Sequence, residues 1–215
     1  MAITSYDELK AAIASWKSNR TDIPADDCVT LAEARLNRDL RLRTMEASTP
    51  LVATAGSQTV PVPTGFLEPL ALMIERATGR EPLTFRPAGM PTSATEGEPR
   101  FWTVDADNIA FERPCDHAYS FVLRHLQRFQ LSDGAPSNWL LANHPDAYLA
   151  ACGVAAALWL EDDDHEARWA RHYAAAKDDI NGKDHRSRAL TRLRTDAAIQ
   201  PQALRPSAFD ITRGL

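Results

Sequence analysis

Between Ala147 and Leu160 the chain reads AYLAACGVAAALWL, a run with no charged residue. As a helix this run is apolar on every side instead of along one stripe, so every side needs cover. It falls short of the roughly 20 residues that cross a bilayer, which argues against a membrane span. Its small residues, among them Ala150, Ala151, Gly153 and Ala157, allow other backbones to come close, while Tyr148, Leu158 and Trp159 add bulk. The run is therefore expected to be a central helix, covered by its own chain or in part by neighbouring subunits. Pro145 at the first helical position and the adjacent Asp146 suit its start.

Helices are expected on both sides of this element. Ser5 and Glu8 have capping-box spacing, and Leu9, Ala12, Ile13 and Trp16 follow in one stripe, predicting a helix over 6–18. A second helix, opened by Asp26 or Asp27, turns Val29, Ala32, Leu36 and Leu40 inward and carries Arg35, Arg38, Arg41 and Arg43 on its other side. After the central run, Trp169, Tyr173, Ala176 and Ile180 form another stripe, with Asn181-Gly182 read as its stop. A short helix over 187–199 and an extended tail containing Pro201 and Pro206 complete the chain.

From residue 50 to 130 the texture changes to alternation and turn chemistry. Three hairpins are expected: 51–55 with 58–62 around Gly56-Ser57, 70–76 with 82–86 around Thr78-Gly79-Arg80, and 101–104 with 109–113. A longer strand follows over 117–127, and Gly89 to Pro99 reads as a mobile loop. The expected fold is α+β and mainly α: a helical bundle (1–48 and 131–199), an inserted β-hairpin-rich subdomain (49–130) and an extended C-terminal tail (200–215).

The composition narrows function more than it names one. A formal net charge of −5 argues against general nucleic-acid binding, though not against DNA passing through a pore built from several copies. No basic segment followed by an apolar core marks a signal peptide at the start. Cys28, Cys115 and Cys152 match no zinc or redox spacing and read as buried thiols in a reducing compartment.

His144, Asp146, Asp162, Asp163, Asp164, His165, His172 and His185 invite a metal reading, since helical metal sites use His and carboxylates three or four residues apart. Helix capping already accounts for the acids at 162–164. No phosphate loop or nucleophile elbow is present, and no catalytic, cofactor or metal residue is assigned.

One resemblance goes further. Leu131-Ser132-Asp133, Pro136-Ser137-Asn138-Trp139-Leu140-Leu141 and Pro145-Asp146-x-Tyr148-Leu149 precede an alanine-rich helix ending in acids and a Trp-x-x-x-Tyr helix. Upstream stand Tyr6-Asp7-Glu8-Leu9, Leu31-Ala32-Glu33-Ala34-Arg35-Leu36-Asn37-Arg38 and Pro63-x-x-Phe66-Leu67-Glu68. In this order, over about residues 3 to 180, the set resembles the head-to-tail adaptor proteins of tailed bacteriophages, also called connector or head-completion proteins. Ala150, Ala151 and His125-Leu126 depart from the aromatic and apolar-tyrosine pattern of that family.

The resemblance implies a non-enzymatic virion protein of the neck, made in the host bacterial cytoplasm. It implies a ring, commonly of twelve copies, that binds the portal protein, extends the DNA channel without sequence-specific binding and carries tail or nozzle proteins. Arg186, Arg188, Arg192, Arg194 and Arg205 are the first candidates for portal contact, and Arg35, Arg38 and Arg41 the second. Two other readings stand beside it. One is a small helical metal-dependent hydrolase using His144, Asp146, Asp163 and His165, and the other is a helical interaction protein outside any virion.

Overall fold

The structure, a computed structural model, describes residues 3–16, 22–87 and 92–203, with side chains as far as Ser187. Its elements in order are α1 (Tyr6–Ser15), α2 (Ala25–Asp39), a 3-10 turn (Arg43–Met45), β1 (Glu46–Ala53), β2 (Thr59–Pro61), β3 (Phe66–Arg76), β4 (Gly79–Pro82), β5 (Thr84–Phe85), β6 (Phe101–Asp105), β7 (Asn108–Phe111), β8 (Tyr119–Gln127), α3 (Trp139–Asn143), α4 (Pro145–Trp159) and α5 (Asp163–Ala203).

The expected fold class does not hold. Instead of a helical bundle with inserted hairpins, the strands build two four-stranded sheets, ordered β1-β8-β3-β4 and β2-β7-β6-β5. All pairings are antiparallel except that of β5 with β6. The sheets close on a core of their own, in which Leu72, Ile74, Phe121 and Leu123 from the first meet Trp102, Ile109 and Phe111 from the second. Phe111 and Phe121 stack with ring centroids 5.0 Å apart.

The error lay in pairing neighbours along the chain. Gly56 does turn, at φ 75°, but β1 pairs along its whole length with β8, and β2 pairs with β7. The link between β1 and β2 carries the chain from one sheet to the other and is stitched to the segment before β8, with the Gly56 N–H donating to the Cys115 carbonyl (2.7 Å) and the Cys115 N–H to that of Ser57 (3.0 Å). The β6–β7 hairpin forms as the turn chemistry predicts. The other departs from it: the expected turn residues Gly79 and Arg80 are already strand β4 paired with β3, and Thr84–Phe85 of the expected partner strand 82–86 leaves to pair with β6 in the second sheet. Of the expected mobile loop, residues 92–99 are tied down: Ser93 donates to the Glu112 carbonyl and Gly97 to that of Pro114. Residues 88–91 lie outside the described residues.

Strand β8 links the two halves. Tyr119, Phe121 and Leu123 enter the core between the sheets, whereas Leu126, with Phe129 and Leu131 beyond it, joins the helical core. The join is locked by Asn37, whose Nδ2 donates to the Phe129 carbonyl (2.9 Å) and whose Oδ1 accepts from the Phe129 N–H (2.7 Å). One buried side chain thus satisfies both backbone groups of an irregular residue, which would otherwise be costly to bury.

In the helical half, α1 starts with the Ser5–Glu8 capping box and buries Leu9 and Ile13. The start of α2 differs from expectation. Its N-cap is Pro24, with no side-chain cap, and Asp26 and Asp27 lie inside the first turn, where they favour the helix dipole. The last helices also merge into one. Gly182 does not take the positive φ of a C-terminal glycine cap, and α5 continues through it for 41 residues in all. Beyond the glycine, Arg43 holds the helix, its N–H bonded to Asp184 Oδ1 (3.2 Å) and its guanidinium to Ser187 Oγ (3.1 Å). Residues 200–203, expected as extended tail, are helical.

Candidate interaction surfaces

Helix α4 is the axis of the helical half. Ala147, Tyr148 and every residue from Ala150 to Ala157 are buried, covered by α1, α2, α3 and α5 of the same chain. Gly153 is where α5 comes closest: a Cβ there would stand 2.4 Å from Trp169 Cδ2. Tyr148, fully buried, donates to Glu33 Oε1 (3.2 Å) and accepts from Asn138 Nδ2 (2.7 Å). Its burial pushes the phenol well above its ordinary value. Burial likewise raises the Glu33 carboxyl, against the lowering effect of the hydrogen bonds from Leu131 and Tyr148. These groups are arranged to stay put: each hydrogen bond is made within the core.

Cover ends at the C-terminal end of α4. Leu158 is 55% and Trp159 62% exposed. Directly after them the chain turns at Glu161, with φ 52°, and Glu161, Asp163 and Asp164 are exposed. The result is an apolar knob framed by acids.

At the other end of α4, a cavity of about 340 Å³ opens between the 3-10 turn, α3 and α5. Leu42, Trp139 and Ile180 supply its apolar wall, with His144, Arg43, Lys183 and Asp184 also lining it.

The arginines named from the sequence fall into distinct places. Arg186 is exposed on α5, close enough to Asp179 to help lower its carboxyl, an effect led by the hydrogen bond from Lys183. Arg188, Arg192 and Arg194 lie on the helical continuation of α5, their side chains outside the described residues, and Arg205 lies outside them altogether. On α2, Arg38 is exposed and Arg35 sits 5.8 Å from the Tyr173 ring centroid. Arg41 closes the C-terminal end of α2, bonded to the carbonyls of Asn37, Arg38 and Leu40, and its Nε reaches Glu68 Oε1 at 2.6 Å.

The residues of the metal reading are kept apart. His144 begins α4 and Asp163 and His165 follow its end, a separation of roughly 22 Å along the helix. His165 Nδ1 pairs with Asp162 Oδ1 at 2.8 Å, and its ring meets Trp16 edge-on at 5.5 Å. Among the described residues no group of three or more His, Cys, Asp or Glu is placed to hold a metal ion.

A family model described as SU10 adaptor protein matches residues 4–196. The chain belongs to the SU10 adaptor protein family. This is a family of phage head-to-tail adaptors, structural and in general non-enzymatic, which work in the virion neck with portal and tail proteins. The match takes in nearly the whole SU10 adaptor fold described above, including Arg186, Arg188, Arg192 and Arg194 on α5, and stops short of Arg205. A comparison with curated proteins finds no match. No described helix is long and apolar enough to cross a membrane.

The sequence reading missed the cavity. Its walls come from segments about 40, 140 and 180 in the chain, and no local spacing ties them together. Asn37 was legible in principle, as a polar residue beside Leu36 and Leu40 on the buried side of α2.

Proposed function

We propose that this adaptor forms a ring, commonly of twelve copies in its family, that binds the portal, extends the DNA channel and carries the tail or nozzle proteins. The observation that carries the portal contact is the length of α5. Among the residues whose side chains are described its last buried core residue is Ile180, and the helix continues to Ala203, roughly 35 Å farther. Arg186, Arg188, Arg192 and Arg194 all fall on this continuation. A segment that is already helical loses less conformational entropy on docking against acidic portal surface, and guanidinium groups pair carboxylates in a fixed two-pronged geometry. Arg205 extends the same candidate patch. Of the second patch, Arg38 is the exposed charge, while Arg35 and Arg41 are engaged with Tyr173 and with Glu68. The net charge of −5 favours a channel through which DNA slides, because neutralising phosphates is what drives non-specific binding.

The test is portal binding by two truncated chains. Removal of 200–215 weakens binding in part, and removal of 188–215 weakens it strongly, with the far-ultraviolet spectrum of the remaining fold intact. Full binding by the shorter chain overturns the assignment of α5 to the portal.

A further inference from the structure

The surface left bare by α4 and the cavity at its opposite end fit one another. Trp159 ends an otherwise buried apolar helix at 62% exposure, beside Leu158 at 55%. Large exposed aromatics of this kind are the usual anchors of protein contacts. The cavity, about 340 Å³ with a wall of Leu42, Trp139 and Ile180, has room for an aromatic side chain and the polarity to hold one.

Charge points the same way. Exposed Glu161, Asp163 and Asp164 frame the knob. Among the residues lining the cavity, Arg43 and Lys183 outnumber Asp184. Exposed Arg186 follows Lys183 by three residues on α5, and Lys183 also holds Asp179 at 2.6 Å, so the rim is net positive. Knob and cavity are separated by the length of α4, 15 residues or roughly 22 Å, so no copy fills its own cavity with its own knob.

We propose that a second copy of this chain is the occupant: Trp159 and Leu158 of one copy seat against Trp139 of the next, 37% exposed at the cavity mouth, with Asp163 and Asp164 facing Lys183 and Arg186. Each copy then gives one patch and receives on the other, a heterologous contact that continues from copy to copy and closes where the rotation permits. The contact rests on these surfaces, and its closure into a ring rests on the adaptor reading.

The test is sedimentation and light-scattering mass of the full chain up to about 1 mM, where contacts of a few kcal/mol become visible. Mass rises past the dimer with concentration. Trp159→Ala, which removes an exposed side chain, weakens association roughly tenfold or more, as loss of a central aromatic anchor does. The pair Asp163→Lys and Asp164→Lys weakens it, as does the pair Lys183→Glu and Arg186→Glu, and all four together restore it. A wild-type mass that stays monomeric or stops at the dimer, an unchanged Trp159→Ala, or failure of the fourfold variant to recover overturns the contact. Portal binding is read separately. Self-association without portal binding overturns the adaptor reading and leaves the contact standing, and portal binding with an unaltered Trp159→Ala overturns the contact alone.

Discussion

Gly153 and Trp169 meet so closely that a Cβ on the glycine would lie 2.4 Å from Cδ2 of the indole and 2.7 Å from Cγ and Cε2. The α4–α5 crossing therefore depends on the absence of a side chain at one position. The indole, partly buried, is met edge-on by Trp16 at 5.4 Å and by His172 at 6.0 Å.

Gly153→Ala sets two effects against each other. Alanine favours a helix interior by about 1 kcal/mol over glycine, whereas overpacking a filled core costs about 1–3 kcal/mol. At 2.4 Å the clash is with a ring and not with the tip of a flexible chain, so packing wins. Thermal unfolding shows a lower midpoint for Gly153→Ala, and Trp169→Leu in the same chain recovers part of the loss.

Asn37→Ala removes the clasp between α2 and the segment after β8. It leaves the N–H and the carbonyl of Phe129 buried without their partner, at about 1–3 kcal/mol for each such group. Denaturant titration shows a loss of about 2 kcal/mol or more. Asn37→Asp keeps the acceptor for the Phe129 N–H but turns the donor into a buried charge, and it loses at least as much.

His125 gives stability a pH dependence. It is 1% exposed, its Nδ1 has no hydrogen-bond partner, and it stacks on Phe66 at 5.7 Å. Burial holds its imidazole below the ordinary value of 6.5, the smaller effect of a hydrogen bond with the Leu123 backbone acting the other way. The unfolded chain thus takes up this proton more readily than the folded one, so stability falls as pH drops below about 6.5. His125→Leu lacks this contribution. The stability of the wild type relative to that variant, measured from pH 8 to pH 5, declines toward acid, and a difference that stays flat contradicts the assignment.

Glu112 anchors the loop that leads into β6. It is 4% exposed, and its two oxygens accept from the N–H groups of Arg100 (2.8 Å) and Phe101 (3.0 Å). Glu112→Ala frees both. Limited proteolysis cuts the 92–100 segment faster in that variant, with the helical half still protected.

What the sequence disclosed tracks the range of the forces involved. The Ser5 cap, the 3.6-residue stripe from Trp169 to Ile180 and the turn of the β6–β7 hairpin depend on residues a few positions apart, and they read correctly. The partner of β1 did not, because β8 lies about 75 residues away and alternation specifies a face, not a neighbour. Gly182 misled for a related reason: a glycine permits a helix to end but does not compel it, and Arg43, distant in sequence, ties the next turn in place. The family resemblance was visible in the ordered motifs around Asn138–Leu141 and Pro145–Leu149. The knob was half visible, as an apolar helix in need of cover, and Asn37 as a polar residue on a buried stripe, while the cavity and the partner of Asn37 exist only once the chain is folded.

The adaptor assignment is tested most directly by the light-scattering mass of the chain mixed with the portal protein of the same phage, with metal content read on the same fractions. The account predicts a large complex of fixed stoichiometry, several adaptor copies to each portal ring, in metal-free fractions. A chain that elutes at its monomer mass beside an unaltered portal contradicts it.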